Sequence, residues 1–109
     1  MAPPPHRGDV WLAHLDKVRP VVVLTRDPFG RLLHSVIVAP ITSTIRGTST
    51  EVVVRSEDGL RVMSVAALDN VQLVRRERLV RRVGRAMPAT MVSICHALAI
   101  ATGCDALAG

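Results

Sequence analysis

Hydrophobic positions fall into short runs through the first two-thirds of the chain and into one long run near its end. After Gly8 and Asp9, residues 10–15 read as a first strand. Pro20 opens Val21-Val22-Val23-Leu24-Thr25, a continuous, mostly β-branched run of the kind a sheet covers on both faces. Asp27-Pro28-Phe29-Gly30 carries Pro and Gly where a turn needs them. A third strand is expected over residues 35–39, stopped by Pro40, and a fourth over residues 51–55. Ser56-Glu57-Asp58-Gly59 then turns the chain into residues 62–68, and Asp69-Asn70 leads into Val71-Gln72-Leu73. Short strands at such close, turn-marked spacing predict a small β-barrel or curled sheet.

The last third changes character. Residues 76–79 fit one short helical turn, followed by Val83-Gly84-Arg85. Pro88 stands where a proline opens a helix, which should run to about residue 101 and end at Gly103. Met91, Val92, Ile94, Cys95, Leu98 and Ile100 surround this helix, so it should be covered on more than one side. A chain of 109 residues has few elements to spare for that, and a second subunit or partner is the expected cover. The fold class expected is α+β and mainly β: one domain over residues 7–109 after a flexible leader, residues 1–6, which lacks the features of a signal peptide.

Composition narrows the function. With 49% hydrophobic and 21% charged residues, the chain is neither disordered nor membrane-spanning by helices. Trp11 and Phe29 are its only aromatic residues, which argues against recognition by stacking bases on aromatic rings. The net charge of +5 is concentrated: residues 75–85 hold six arginines and one acid, and the rest of the chain carries eight bases and eight acids. Lys17 is the only lysine, so almost every cation is a planar fork suited to phosphate. The run is either a solvated basic surface or a face for a polyanion. Cys95 and Cys104 form no disulfide framework and are expected to be reduced thiols in the cytoplasm. His6, His14, His34 and His96 read as surface or packed residues, although His14 and His34 sit on strands that could approach. No glycine-rich phosphate loop, nucleophile elbow or metal-ligand spacing occurs, and no cofactor or metal is expected.

Two stretches remain. In Arg19-Pro20 the proline fixes its own φ and pushes Arg19 toward extended backbone, so the guanidinium stands at the rigid start of a central strand. Residues 42–50 form a loop with six hydroxyl side chains in nine. By composition alone that is a polar loop.

Taken in order, Arg7-Gly8-Asp9-Val10-Trp11, Arg19-Pro20-Val21-Val22-Val23, Val38-Ala39-Pro40-Ile41-Thr42, and Ser64-Val65 with Asp69-Asn70-Val71-Gln72 resemble the MazF/PemK toxins, the endoribonuclease halves of type II toxin–antitoxin pairs. The resemblance runs from Arg7 to the C-terminal helix. It implies an SH3-like β-barrel with a short helix and a C-terminal helix. It also implies a cytoplasmic homodimer, metal-independent cleavage of single-stranded RNA at short sequences, and inhibition by a cognate MazE-like antitoxin. The family's catalytic pair falls on Arg19 and Thr42. RNA contacts are expected at Asp16, Lys17, Ser43, Thr44, Arg46, Asp69, Asn70, Gln72, Arg81 and Arg82.

The implied chemistry suits those side chains. Attack of a ribose 2′-hydroxyl on the adjacent phosphate gathers negative charge on phosphoryl oxygens, which a guanidinium fork and a hydroxyl stabilise. Backbone N–H groups of residues 42–44 are expected to add an anion nest. One departure from the family is the loop before Arg19, where only Asp16-Lys17-Val18 follow Leu15. The alternatives are a CcdB-like gyrase inhibitor and a non-catalytic SH3-like nucleic-acid-binding module.

Overall fold

The computed structural model describes residues 4–27, 33–55 and 58–107, so most of the turn expected at residues 27–30 lies outside the described residues. Its strands are β1 (Asp9–His14), β2 (Val18–Val23), β3 (Ser35–Thr42), β4 (Glu51–Val54), β5 (Ser64–Ala67), β6 (Gln72–Arg75) and β7 (Leu79–Arg85). The helix α1 (Pro88–Thr102) follows, with Pro88 in its first turn and Gly103 capping its end at φ 75°. All strand pairs are antiparallel, in the order β4-β5-β3-β2-β1-β7, with β6 also paired to β3.

The β-branched run does what its composition requires. Val22 faces one core with Val10, Ala39 and Ile41, into which α1 places Ile94 and Ala97. Val21 and Val23 face a second core with Trp11, Ala13, Val36 and Val38. Successive side chains of a strand point to opposite faces, and here both faces are buried. Burying a valine contributes about 1.5–3 kcal/mol, so β1, β2 and β3 form the rigid centre of the molecule.

Pro40 does not stop β3, and the ladder explains why. The Ile37 carbonyl accepts the Leu24 N–H at 2.8 Å, so odd-numbered residues of β3 turn their backbone groups toward β2. Pro40 therefore faces the opposite edge, at the gap where β3 changes partner: its pairing with β6 ends at Val38 and its pairing with β5 begins at Ile41. A missing donor costs nothing in that gap. By the same alternation Pro20 faces β3, and the β2–β3 ladder ends beside it at Val21 and Pro40. Beyond that pair the two strand ends are free to part.

The sheet curls without a closing ladder. Among the described residues β4 and β7 end its strand order, and the gap between them is bridged by a turn. Gly84 of β7 lies against that turn: a methyl group there would sit 2.8 Å from the Gly59 Cα and closer still to the Asp58 carbonyl oxygen. Buried Asp58 also serves α1, whose own N-cap residue, Met87, offers no side-chain acceptor. Its carboxylate accepts the Met87 N–H at 2.6 Å and the Arg55 N–H at 2.9 Å. A residue 29 positions before Met87 thus caps the helix.

Candidate active site

Arg19 and Thr42 lie just beyond the last paired residues of the β2–β3 ladder. The register pairs Val21 with Pro40 and Val22 with Ala39, and continued along both strands it sets Arg19 opposite Thr42. Period-two alternation puts Arg19 on the face of Val21 and Val23, and Thr42 on the face of Val36 and Val38. Both therefore project from the same side of the sheet, and both line one open cleft of about 890 Å³.

Neither group is left loose. Asp16, in the turn between β1 and β2, accepts Arg19 Nε at 2.8 Å and Nη2 at 3.0 Å. This bidentate pair holds the Asp16 carboxyl well below the ordinary carboxylate range and raises the Arg19 pKa above its already high value. Two of the five guanidinium N–H donors are used, and the Nη1 edge remains for another oxyanion. Thr42 is half-buried, and its Oγ1 accepts the Thr44 N–H at 3.1 Å. With that lone pair engaged, the hydroxyl proton is available to donate into the cleft.

The anion nest lies further along the loop than expected. The Thr44 N–H is engaged with Thr42, and the converging donors belong instead to three successive residues, Arg46, Gly47 and Thr48. They meet the carboxylate of Glu51 at 2.7–3.2 Å, with Gly47 in the left-handed region at φ 80°. Partial burial pushes the Glu51 carboxyl upward, but these N–H groups outweigh it and the net shift is downward. A second tie joins the loop to the turn after β5: Thr48 Oγ1 meets Thr50 Oγ1 at 3.1 Å, and the Thr50 hydroxyl donates to the Asp69 carboxylate.

Of the expected RNA contacts, Asp16, Thr44, Arg46, Asp69, Asn70 and Gln72 line the cleft with Arg19 and Thr42. Asp16 and Asp69 do so already bonded to Arg19 and Thr50. Lys17 and Ser43 are exposed on flanking loops and are not among the lining residues. Arg81 and Arg82 lie on β7, at the far end of the strand order from β4, away from the cleft. Arg82 and Arg85 are drawn to the buried Asp9 carboxylate at 3.6 and 3.0 Å, and Arg75 pairs with Glu77 at 2.7 Å. His14 and His34 are exposed outside the cleft. Sequence reasoning missed Glu51, Thr48 and Thr50; Gly47 followed four residues later by an acid was the one local signal available.

The molecule is thus a small curled antiparallel sheet backed by one helix, with an arginine and a threonine lining one cleft at the ends of neighbouring strands. Residues 6–102 match the family model of the PemK-like, MazF-like toxin of type II toxin-antitoxin system, and the chain belongs to that family. It is 41% identical over 104 residues to "Probable endoribonuclease MazF5" of Mycobacterium tuberculosis (strain ATCC 25618 / H37Rv), covering 93% of this chain and 95% of that protein. Among solved structures, Mycobacterium tuberculosis toxin MazF-mt6 superposes with a TM-score of 0.84 at 38% identity, over 87% of this chain and 96% of that one. A mycobacterial endoribonuclease in complex with its cognate antitoxin superposes with a TM-score of 0.84 at 30% identity, over 91% and 95% of the two chains.

Proposed function

We propose that this chain is a toxin endoribonuclease that cleaves single-stranded RNA by transesterification and is held inactive by a cognate antitoxin in the cytoplasm. The observation that carries the reading is the convergence of Arg19 and Thr42 on one cleft in a chain of this family. The ribose 2′-oxygen attacks phosphorus as its proton leaves, and the P–O5′ bond breaks. The products are a 2′,3′-cyclic phosphate and a 5′-hydroxyl whose oxygen takes up a proton. Arg19, fixed by Asp16 on one edge, offers its Nη1 edge to the phosphoryl oxygens as charge builds there. Its raised pKa makes it a poor base, so its contribution is electrostatic. The Thr42 hydroxyl donates to the same oxygens or to the leaving group.

The open floor and walls, with Thr44, Arg46, Asn70 and Gln72, suit a single strand lying across both catalytic groups. Arg81 and Arg82 would meet only RNA that continues beyond the cleft. A homodimer accounts for the helix. α1 fully buries only Ile94 and Ala97, leaves Val92 71% exposed, and borders a groove of about 750 Å³ against β4.

The test is incubation of purified protein with single-stranded RNA in excess chelator, with end-group analysis of the products. Cleavage should persist and leave cyclic-phosphate and 5′-hydroxyl ends. Arg19→Ala and Thr42→Ala should each lower the rate by about two to three orders of magnitude while leaving the fold intact. A strict magnesium requirement, or cleavage unaffected by both substitutions, refutes the mechanism. Inhibition of gyrase with no RNA cleavage would assign the chain to the CcdB-like alternative.

A further inference from the structure

Glu51 is the best-coordinated carboxylate at the cleft, yet it carries no part of the chemistry above. It begins β4, opposite Ala67 of β5, and so stands on the sheet rather than on the loop. The loop comes to it: consecutive N–H groups of Arg46, Gly47 and Thr48 close on the Glu51 carboxylate within 3.2 Å, and Arg46 meets both of its oxygens. Three successive N–H groups aimed at one point form a concavity for an oxyanion. Here the oxyanion belongs to the chain itself. The same stretch places Thr44, Arg46 and Thr48 along the cleft wall.

We infer that Glu51 is a positioning residue, an internal anion that fills the backbone nest of residues 46–48 and so fixes the loop that shapes the RNA-binding wall. The inference rests on the endoribonuclease reading for its functional consequence, but the clamp itself does not depend on RNA. Arg19 is held by its pairing with β1 and by Asp16, and Thr42 by its pairing with β5 and by the Thr44 N–H, so neither depends directly on the clamp at residues 46–48. Loosening the loop should therefore damage substrate binding and site choice more than turnover. A loop held by a carboxylate on a rigid strand is preorganised, so the wall needs no ordering when RNA arrives.

Gly47 supplies a second route to the same loop. Its φ of 80° suits the nest, and a methyl group added there would touch nothing within 4 Å. Gly47→Ala thus opposes the left-handed backbone alone, with no steric clash, whereas Asn tolerates that region.

The experiment compares wild type, Glu51→Ala, Glu51→Gln, Gly47→Ala and Gly47→Asn. It measures amide hydrogen exchange at residues 46–48, kcat and KM on a short RNA, and the cleavage-site profile on a mixed-sequence RNA pool. Wild type should protect these amides. Glu51→Ala and Gly47→Ala should expose them, raise KM about tenfold or more with kcat changed less than about threefold, and broaden the site profile. Glu51→Gln, which keeps an acceptor without the charge, should fall between, and Gly47→Asn should stay near wild type. Unprotected amides in wild type overturn the clamp. Exposed amides in Glu51→Ala with unchanged KM and site profile overturn its role in recognition. If wild type cleaves no RNA, the endoribonuclease reading fails, and the exchange data still decide whether Glu51 holds the loop.

Discussion

Replacing Asp58 with alanine should be among the most costly single changes in this protein. The carboxylate is 1% exposed, and it satisfies the Met87 N–H, the Arg55 N–H and, at 3.4 Å, the Thr90 hydroxyl. Hydrogen bonds to a charged acceptor contribute about 1.5–3 kcal/mol each, so losing the two close ones should cost about 3–6 kcal/mol. That is a large share of the roughly 5–15 kcal/mol that holds a domain of this size together. Asp58→Asn keeps one acceptor and turns an N–H₂ group toward a backbone donor, which should place its cost nearer about 2 kcal/mol. Urea unfolding followed through Trp11 fluorescence reads the effect, because the only tryptophan is buried in the second core and meets water on unfolding. With a slope of about 2 kcal/mol/M, Asp58→Ala should shift the midpoint by about 2 M at fixed protein concentration. A shift corresponding to less than about 1 kcal/mol would refute the idea that this turn caps the helix.

Two further outcomes follow from the ionised groups. Asp16→Asn removes the charge that aligns Arg19 and should lower kcat about tenfold without changing the unfolding midpoint, since the pair is largely solvent-exposed; an unchanged kcat would mean Arg19 orients itself. Asp16, Asp27, Glu51 and Glu77 all have folded-state pKa values below their ordinary ones. Around pH 4 the unfolded chain therefore binds more protons than the folded one. Stability should be flat from neutrality to about pH 5 and fall as acid carries the solution below the ordinary carboxylate range. A stability maximum below pH 4 would contradict those shifts.

The central strands were legible because Val21-Val22-Val23 admits only a doubly covered position. The helix was legible from Pro88 and Gly103, which the structure uses as its first turn and its left-handed cap. Pro40 misled because the meaning of a proline depends on which edge its nitrogen faces, and that edge is set by partner strands far away in the chain. β7 was underestimated for a similar reason: Leu79 packs on the second core, but Arg81 and Arg82 break any alternation that would announce a strand. The bulged register of β7 against β1 absorbs that irregularity. At the site, Arg19 and Thr42 were singled out through the family resemblance, and the fold brings both to one cleft. Glu51 was not, since an acid at a strand start shows its worth only once a preceding loop folds back on it.

Pro20 leaves the β2–β3 seam without the donor that would carry the ladder past Val21 and Pro40. A gap between two strands elsewhere is an invitation for backbone groups to pair, and a protein that must keep such a gap open has to hold it against that tendency. Here the hydrogen that would extend the pairing is absent from Pro20 by covalent structure. The edge of the groove is thus spared one of the bonds that would draw its two strands together, and what keeps it open there is a ring closed within a single residue.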